Sequence, residues 1–150
     1  MCSGGAMPTS TERYVVDTSV AVAALDAAHA AHDVCRLAVQ SRRPGLAGHA
    51  AFESLSVLTR MPGQLGIDAS AASDIIGRVF PVVHWMDSEA SAKLLARVGA
   101  VGLIGGALYD ALVGEAARVN GCVLLTRDMR ARRTYDLLGV RYELVGLDGG

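Results

Sequence analysis

Aromatic residues are scarce in this chain, at 5%, which predicts no base-stacking platform for nucleic acid. An excess of charge of one sign is lacking as well. Fourteen basic and 15 acidic side chains leave a formal net charge of −1, so overall positive potential cannot hold a polyanion and any nucleic-acid site must be local. Cysteine is limited to Cys2, Cys35 and Cys122, an odd number with no CxxC pair. That excludes a disulfide framework and a zinc knuckle, and predicts reduced thiols in a cytoplasmic protein. No apolar run has the length of a membrane span. The segment Met1–Arg13 has neither a basic start nor an apolar middle, so it is not read as a signal peptide. Residues 1–12 and 147–150 are expected to be tails around one domain at 13–146, with Met7 a second candidate start.

Apolar material is plentiful. Half of the 150 residues are hydrophobic and the mean hydropathy is +0.33, enough for one compact domain. Short β-branched runs alternate with longer helical patterns. Tyr14-Val15-Val16 reads as a strand ending at Asp17, with Ser19 capping a helix that opens at Val20. A helix over 29–40 with Val34, Leu37 and Ala38 on one face follows, then a short strand near Leu46-Ala47. The next helix, 50–61, carries Phe52, Leu55, Ser56, Leu58 and Thr59 at half-buried spacing and stops at Pro62-Gly63. Asp68 caps a helix through Arg78, and Val82-Val83 is a strand. Asp87 caps a helix with Ala92, Leu95 and Ala96 inward. A glycine-rich loop, Gly99–Gly106, leads to a helix over 107–119 ended by Asn120-Gly121. Val123–Leu125 is a buried strand. A last helix runs to Leu138 with Gly139 as its stop, and Arg141–Leu144 is an edge strand. Such alternation predicts one parallel sheet covered on both faces.

Open parallel sheets bind ligands beyond the carboxyl ends of their strands. Four acids lie at that level. Asp17 ends the first strand and Asp128 lies just past Leu125. Glu53 and Asp110 lie in the first turns of helices that follow βα junctions or the glycine loop. Each has an ordinary explanation alone: Asp17 and Asp128 as helix caps, Glu53 as a partner of the helix dipole. Asp110 gains least structurally, set among Leu108, Ala111 and Leu112 on a core-facing helix. Four converging carboxylates repel one another, and a hard divalent cation such as Mg²⁺ or Mn²⁺ resolves the conflict. Such an ion orients a water, lowers its pKa and neutralises a phosphodiester under attack.

The stretches Tyr-Val-Val-Asp-Thr-Ser-Val at 14–20, His-Ala-Ala-Phe-Glu-Ser-Leu-Ser-Val-Leu-Thr-Arg at 49–60, Gly-Gly-Ala-Leu-Tyr-Asp-Ala-Leu-Val at 105–113 and Leu-Leu-Thr-Arg-Asp at 124–128 together resemble the PIN-domain ribonucleases, and among them the VapC toxins. The resemblance covers Tyr14 to Val145. It implies an α/β, three-layer PIN-like domain with a five-stranded parallel sheet, order 3-2-1-4-5, flanked by about seven helices. It implies Mg²⁺, with Mn²⁺ as a substitute, at Asp17, Glu53, Asp110 and Asp128. Asp17 and Asp110 are the direct ligands by that analogy, and the hydroxyls of Thr18, Ser19 and Thr126 orient the site. It also implies RNA hydrolysis, in tRNA or rRNA, a cognate VapB antitoxin and a homodimer. Arg130 stands where some PIN domains carry a further acid, which argues against a full second metal site.

Other features read more plainly. Arg127, Arg130, Arg132 and Arg133 form a local basic run. Solvated face and phosphate contact are equally fitting roles for it, and Arg127 and Arg130 are its candidates for contact with RNA or antitoxin. The glycine loop lacks the Gly-Lys-Ser/Thr of a phosphate loop and reads as a mobile connection that lets Asp110 approach. His29, His32 and Cys35 lack the i,i+4 spacing of helical zinc ligands. His49 and His84 have no evident partner, and Trp85 belongs to a core or a dimer interface. The helices near 21–25 and 50–58 are expected to supply either a self-association surface or ordinary core. Two other functions compete with this reading: a catalytically weak PIN-fold binding module for antitoxin or RNA, and a phosphate-transfer receiver or phosphatase. The latter needs a second acid beside Asp17 or a lysine near Asp128, and the only lysine is Lys93.

Overall fold

The structure is a computed structural model that describes residues 11–61 and 67–147. The Pro62-Gly63 stop and most of both expected tails lie outside the described residues. Strand β1 (Arg13–Val16) leads into α1 (Thr18–Leu25). Then come α2 (His32–Arg42), β2 (Gly45–Ala47), α3 (Ala50–Arg60), α4 (Ala69–Val79), β3 (Val83–His84), α5 (Ser88–Ala100), α6 (Ala107–Val119), β4 (Cys122–Thr126), α7 (Arg132–Leu138) and β5 (Tyr142–Leu144). The five strands pair in parallel in the order β3-β2-β1-β4-β5, as the family pattern implies. The order reverses between β1 and β4, where Val16 pairs with Leu125. That is the crevice in which open α/β sheets place their ligands.

The central strands are apolar on both faces because both are covered. Val15, Val16, Leu46, Leu124 and Leu125 are all buried. Helix α1 packs on α2 and α3, and α3 on α4, while α6 packs on α5 and α7.

Several readings of helix faces need correction. Asp17, and not Ser19, is the N-cap of α1, its carboxylate accepting from the Val20 amide. In α2 the inward residue is Cys35, and Val34 and Leu37 are exposed. In α3 the buried residues are Ala50, Ser54 and Leu58, with Phe52 in solvent. In α5, Leu94 and Val98 face inward while Ala92, Leu95 and Ala96 do not. Alanine-rich helices offer adjacent apolar positions, and periodicity alone cannot choose between Leu94 and Leu95. Helix α1 is not a free surface either, since Val20 to Ala24 are buried within this chain. His32 Nδ1 bonds the Ala23 carbonyl, His29 Nδ1 accepts from the Ala31 amide, and Cys35 is buried.

Two glycines shape the part of the fold beneath the site. Gly139 closes α7 in the left-handed region, at φ 76°. Gly114, inside α6, lets Tyr135 and Val140 approach: a Cβ there would lie 2.9 Å from Tyr135 Cδ1 and 3.0 Å from Val140 Cγ2. Gly114→Ala gains up to about 1 kcal/mol of helix propensity, but overpacking costs about 1–3 kcal/mol. The expected net result is a loss of about 1–2 kcal/mol, read as a lowered urea midpoint. A raised midpoint would mean that the helix pair relaxes freely.

Candidate metal centre at the sheet switch point

Asp17 sits at the end of β1 because its amide still donates to Leu125 O, at 3.2 Å. Its side chain is buried, 5% exposed, and surrounded by donors. Ser19 Oγ donates to Oδ1 at 2.6 Å and the Val20 amide to the same oxygen at 3.3 Å. Thr126 Oγ1 donates to Oδ2, as does Tyr135 Oη at 3.2 Å. These bonds favour the carboxylate form, yet burial outweighs them and pushes the Asp17 pKa up. The two hydroxyls are themselves anchored: Ser19 Oγ accepts from the Arg127 amide at 2.8 Å, and Thr126 Oγ1 accepts from the Asp128 amide at 3.0 Å. Thr18 Oγ1, by contrast, is buried with no hydrogen-bond partner among the described residues.

Glu53 lies in the first turn of α3 and Asp110 in the first turn of α6, where the helix dipole favours an acid. Neither helix has a side-chain cap. Burial raises the Glu53 pKa. His49 opposes the rise, while the charges of Asp17 and Asp128 add to it. Asp110 is pushed up to about 6, first by burial and then by Asp128, Glu53 and Asp17, with Arg130 opposing. Asp128 does not cap α7, whose N-cap is Ala131. Its Oδ1 accepts instead from the Arg130 amide at 2.9 Å, and the Arg130 guanidinium stands 3.5 Å away. The four acids therefore share one electrostatic neighbourhood.

An oxygen-only donor set with unrelieved mutual repulsion fits a hard divalent cation. Among the described residues, no three His, Cys, Asp or Glu side chains stand close enough together, as placed, to hold a metal ion between them. Arg127 turns away from the opening, its Nη1 donating to Val145 O at 2.6 Å, whereas Arg130 is 93% exposed.

Tyr135 is the contributor that no sequence signal marks. It lies far along the chain from Asp17, within α7, and looks like a core aromatic. Its hydroxyl pKa is pushed up by burial and by the charges of Asp17, Asp110 and Asp128, so it stays protonated and donates. Tyr135→Phe should lower cleavage about 3- to 10-fold by loosening Asp17, with no more than about 1.5 kcal/mol lost from stability. Turnover and thermal melts on one preparation check both; an unchanged rate would show that the other three donors suffice.

Comparison with known proteins shows the family and the fold. The PIN domain family model matches residues 14–137. Ribonuclease VapC27 of Mycobacterium tuberculosis is 38% identical over 125 residues, covering 83% of this chain and 91% of its own. Among solved structures, Mycobacterium tuberculosis VapC20, described as a sarcin-ricin-loop-cleaving toxin, superposes with a TM-score of 0.62. It is 21% identical and covers 85% of this chain and 95% of its own. VapBC2 from Rickettsia felis, bound to a DNA fragment from its promoter, gives 0.62 at 14% identity, over 87% of this chain and 97% of its own. The chain belongs to the PIN-domain family and, within it, to the metal-dependent ribonucleases of the VapC type.

Proposed function

We propose that this protein hydrolyses phosphodiester bonds of tRNA or rRNA with Mg²⁺, or Mn²⁺ in its place, held by Asp17, Glu53, Asp110 and Asp128. The observation that carries this reading is the placing of these carboxylates at the reversal of strand order, where burial raises the pKa of Asp17, Glu53 and Asp110 and neighbouring acids add to the rise at Glu53 and Asp110. An ion held by these carboxylates would supply charge neutralisation at the phosphodiester and would make a water easier to deprotonate. Asp17 and Asp110 serve as direct ligands. Asp17 is held in one orientation by Ser19, Thr126 and Tyr135, so little reorganisation accompanies the reaction. Glu53 and Asp128 complete the cup and act through water. Arg130 pairs with Asp128, leaving one firm metal position, and its free guanidinium edge is suited to a phosphate or an antitoxin carboxylate.

The domain is taken as 13–146. A VapB-type antitoxin is the proposed partner, in line with the VapBC complex from Rickettsia felis. The protein works as a homodimer in the cytoplasm on this reading. Free, buried Cys35 and Cys122 suit a reducing compartment, and among the described residues no helix is long and apolar enough to cross a membrane.

Antitoxin-free protein should cleave RNA with Mg²⁺ or Mn²⁺, stop on adding EDTA and resume when the metal is restored. Mapping new RNA 5′ ends after induction identifies the target. Cleavage that continues undiminished in EDTA would remove the metal from the mechanism.

A further inference from the structure

A cavity of about 860 Å³ lies away from the carboxylate cup, at the amino ends of β1, β2 and β3 and between the carboxyl ends of α2 and α4. Arg13 opens β1 and Asp17 follows its last residue, so the two places stand about 13 Å apart along the sheet. Four arginines line the cavity: Arg13, Arg42, Arg43 and Arg78. The chain has 14 basic residues in 150, so four at one hollow is a concentration that the near-neutral net charge conceals.

Ordinary structural roles account for two of them. Arg42 and Arg78 stand in the last turns of α2 and α4, where a cation suits the helix dipole. Arg42 also pairs with Glu143 at 3.1 Å and lies over the Tyr14 ring at 4.5 Å. No such role accounts for Arg43. It follows α2 in the left-handed region, at φ 47°, and is the one non-glycine residue with positive φ among the described residues. Glycine is at ease there. An arginine keeps the strain and adds a charge at the cavity. Arg13 has a neutral partner, its Nη2 donating to Asn120 O at 2.9 Å.

The lining offers these cations little compensation. Its one acid is Glu12, already paired with Arg141 at 2.8 Å. Among the described residues Arg13, Arg43 and Arg78 form no ion pair. Three uncompensated guanidinium groups around one hollow repel one another and call for an anion. Their forks match carboxylate and phosphate alike, but three charges at one place suit adjacent groups with three or four negative charges, which linked phosphates carry. The volume falls within the roughly 300–1,000 Å³ of small-ligand sites. Gly45 shapes the floor: a Cβ there would lie 2.7 Å from Val82 O and 2.8 Å from His84 Cδ2, so only glycine lets the His84 ring close in.

We propose that this cavity binds linked phosphate groups through Arg13, Arg43 and Arg78, at a site separate from the carboxylate cup. Two sources carry that chemistry, a free polyphosphate such as a nucleoside triphosphate and the backbone of an RNA strand. The inference does not depend on the ribonuclease reading.

Isothermal titration with pyrophosphate and with ATP tests it, in EDTA so that no metal bridges the probe to the cup. Each should bind once per chain, and inorganic phosphate at least about tenfold more weakly. Arg43→Gly and Arg78→Gln should each weaken binding about 10- to 100-fold, and Asp17→Asn should leave it unchanged. Arg43→Gly also relieves the left-handed strain, so its melting temperature should equal or exceed the parent's. A loss of affinity without a loss of stability is what a purely structural arginine would not give. A short RNA oligonucleotide, titrated into Asp17→Asn protein so that it stays uncut, tells the sources apart. RNA binding lost on adding Arg43→Gly or Arg78→Gln assigns the site to the RNA backbone. Unchanged RNA binding beside lost pyrophosphate binding assigns it to a free polyphosphate. The proposal is overturned if neither pyrophosphate, ATP nor RNA binds in a way that depends on Arg43 and Arg78. Equal binding of a polyglutamate peptide also overturns it, by assigning the arginines to an acidic protein segment.

Discussion

Asp17→Asn should lower RNA cleavage by about 10³-fold or more, equivalent to about 4 kcal/mol of lost transition-state stabilisation. Asp110→Asn should do the same. Each substitution keeps the shape of the side chain and removes the charge that a hard cation requires. At Asp17 folding should be affected far less than activity. Burial makes the ionised carboxylate unfavourable in the metal-free protein, so a neutral amide relieves a cost. The amide oxygen can still accept from Ser19 and from the Val20 amide. The new NH₂ meets Thr126 and Tyr135, whose hydroxyls must turn to accept. The two adjustments offset each other, and the metal-free melting temperature should stay within a few degrees of the parent. Single-turnover cleavage with saturating metal, beside a melt on the same sample, separates the two effects. Persistent cleavage by the folded variants would place the metal elsewhere.

The second large effect is a reversal of the pH dependence of stability by metal. The Asp110 pKa goes from 3.8 to about 6 on folding, and those of Asp17 and Glu53 also rise. Between pH 4 and 6 the folded, metal-free protein binds more protons than the unfolded chain, so its stability falls as pH rises through this window. A rise of that size at Asp110 would correspond to about 3 kcal/mol at full burial. Asp110 is partly exposed, and solvent screening reduces this to about 1–2 kcal/mol. Divalent metal binds the ionised form, so it should stabilise little at pH 5 and strongly at pH 7.5. At about 100 times its dissociation constant the gain is about 2.7 kcal/mol, roughly 5–10 °C for a chain of this size. Melting temperatures at both pH values, with EDTA and with Mg²⁺, check this. A metal-induced shift of equal size at pH 5 and 7.5 would mean that these carboxylates are not the ligands.

The legible features and the illegible ones differ in how local they are. The αL stop at Gly139 and the Asp68 and Asp87 caps depend on neighbours within a few residues, and they stand where the pattern puts them, whereas strand ends such as Val83–His84 and Cys122–Thr126 shift by a residue. Asp17 was readable both as a cap and as a site residue, and it is a cap whose carboxylate also sits among the four acids. Helix faces were less legible. Leu95 at 77% exposure beside buried Leu94 shows that a helix with many small residues has no single apolar phase.

The sequence by itself determined the alternation of strands and helices, the metal-dependent ribonuclease family and the level in the fold at which four acids stand. Apolar periodicity, turn residues and short motifs suffice for that, because each acts over one or two turns of chain. Only the tertiary structure decided that Trp85 stands half in solvent, outside the core, that Tyr135 donates to Asp17 and that Gly114 makes room for it. The last two contacts join residues far apart in the chain. Their geometry follows from how closely α6, α7 and the sheet pack, which no local pattern encodes.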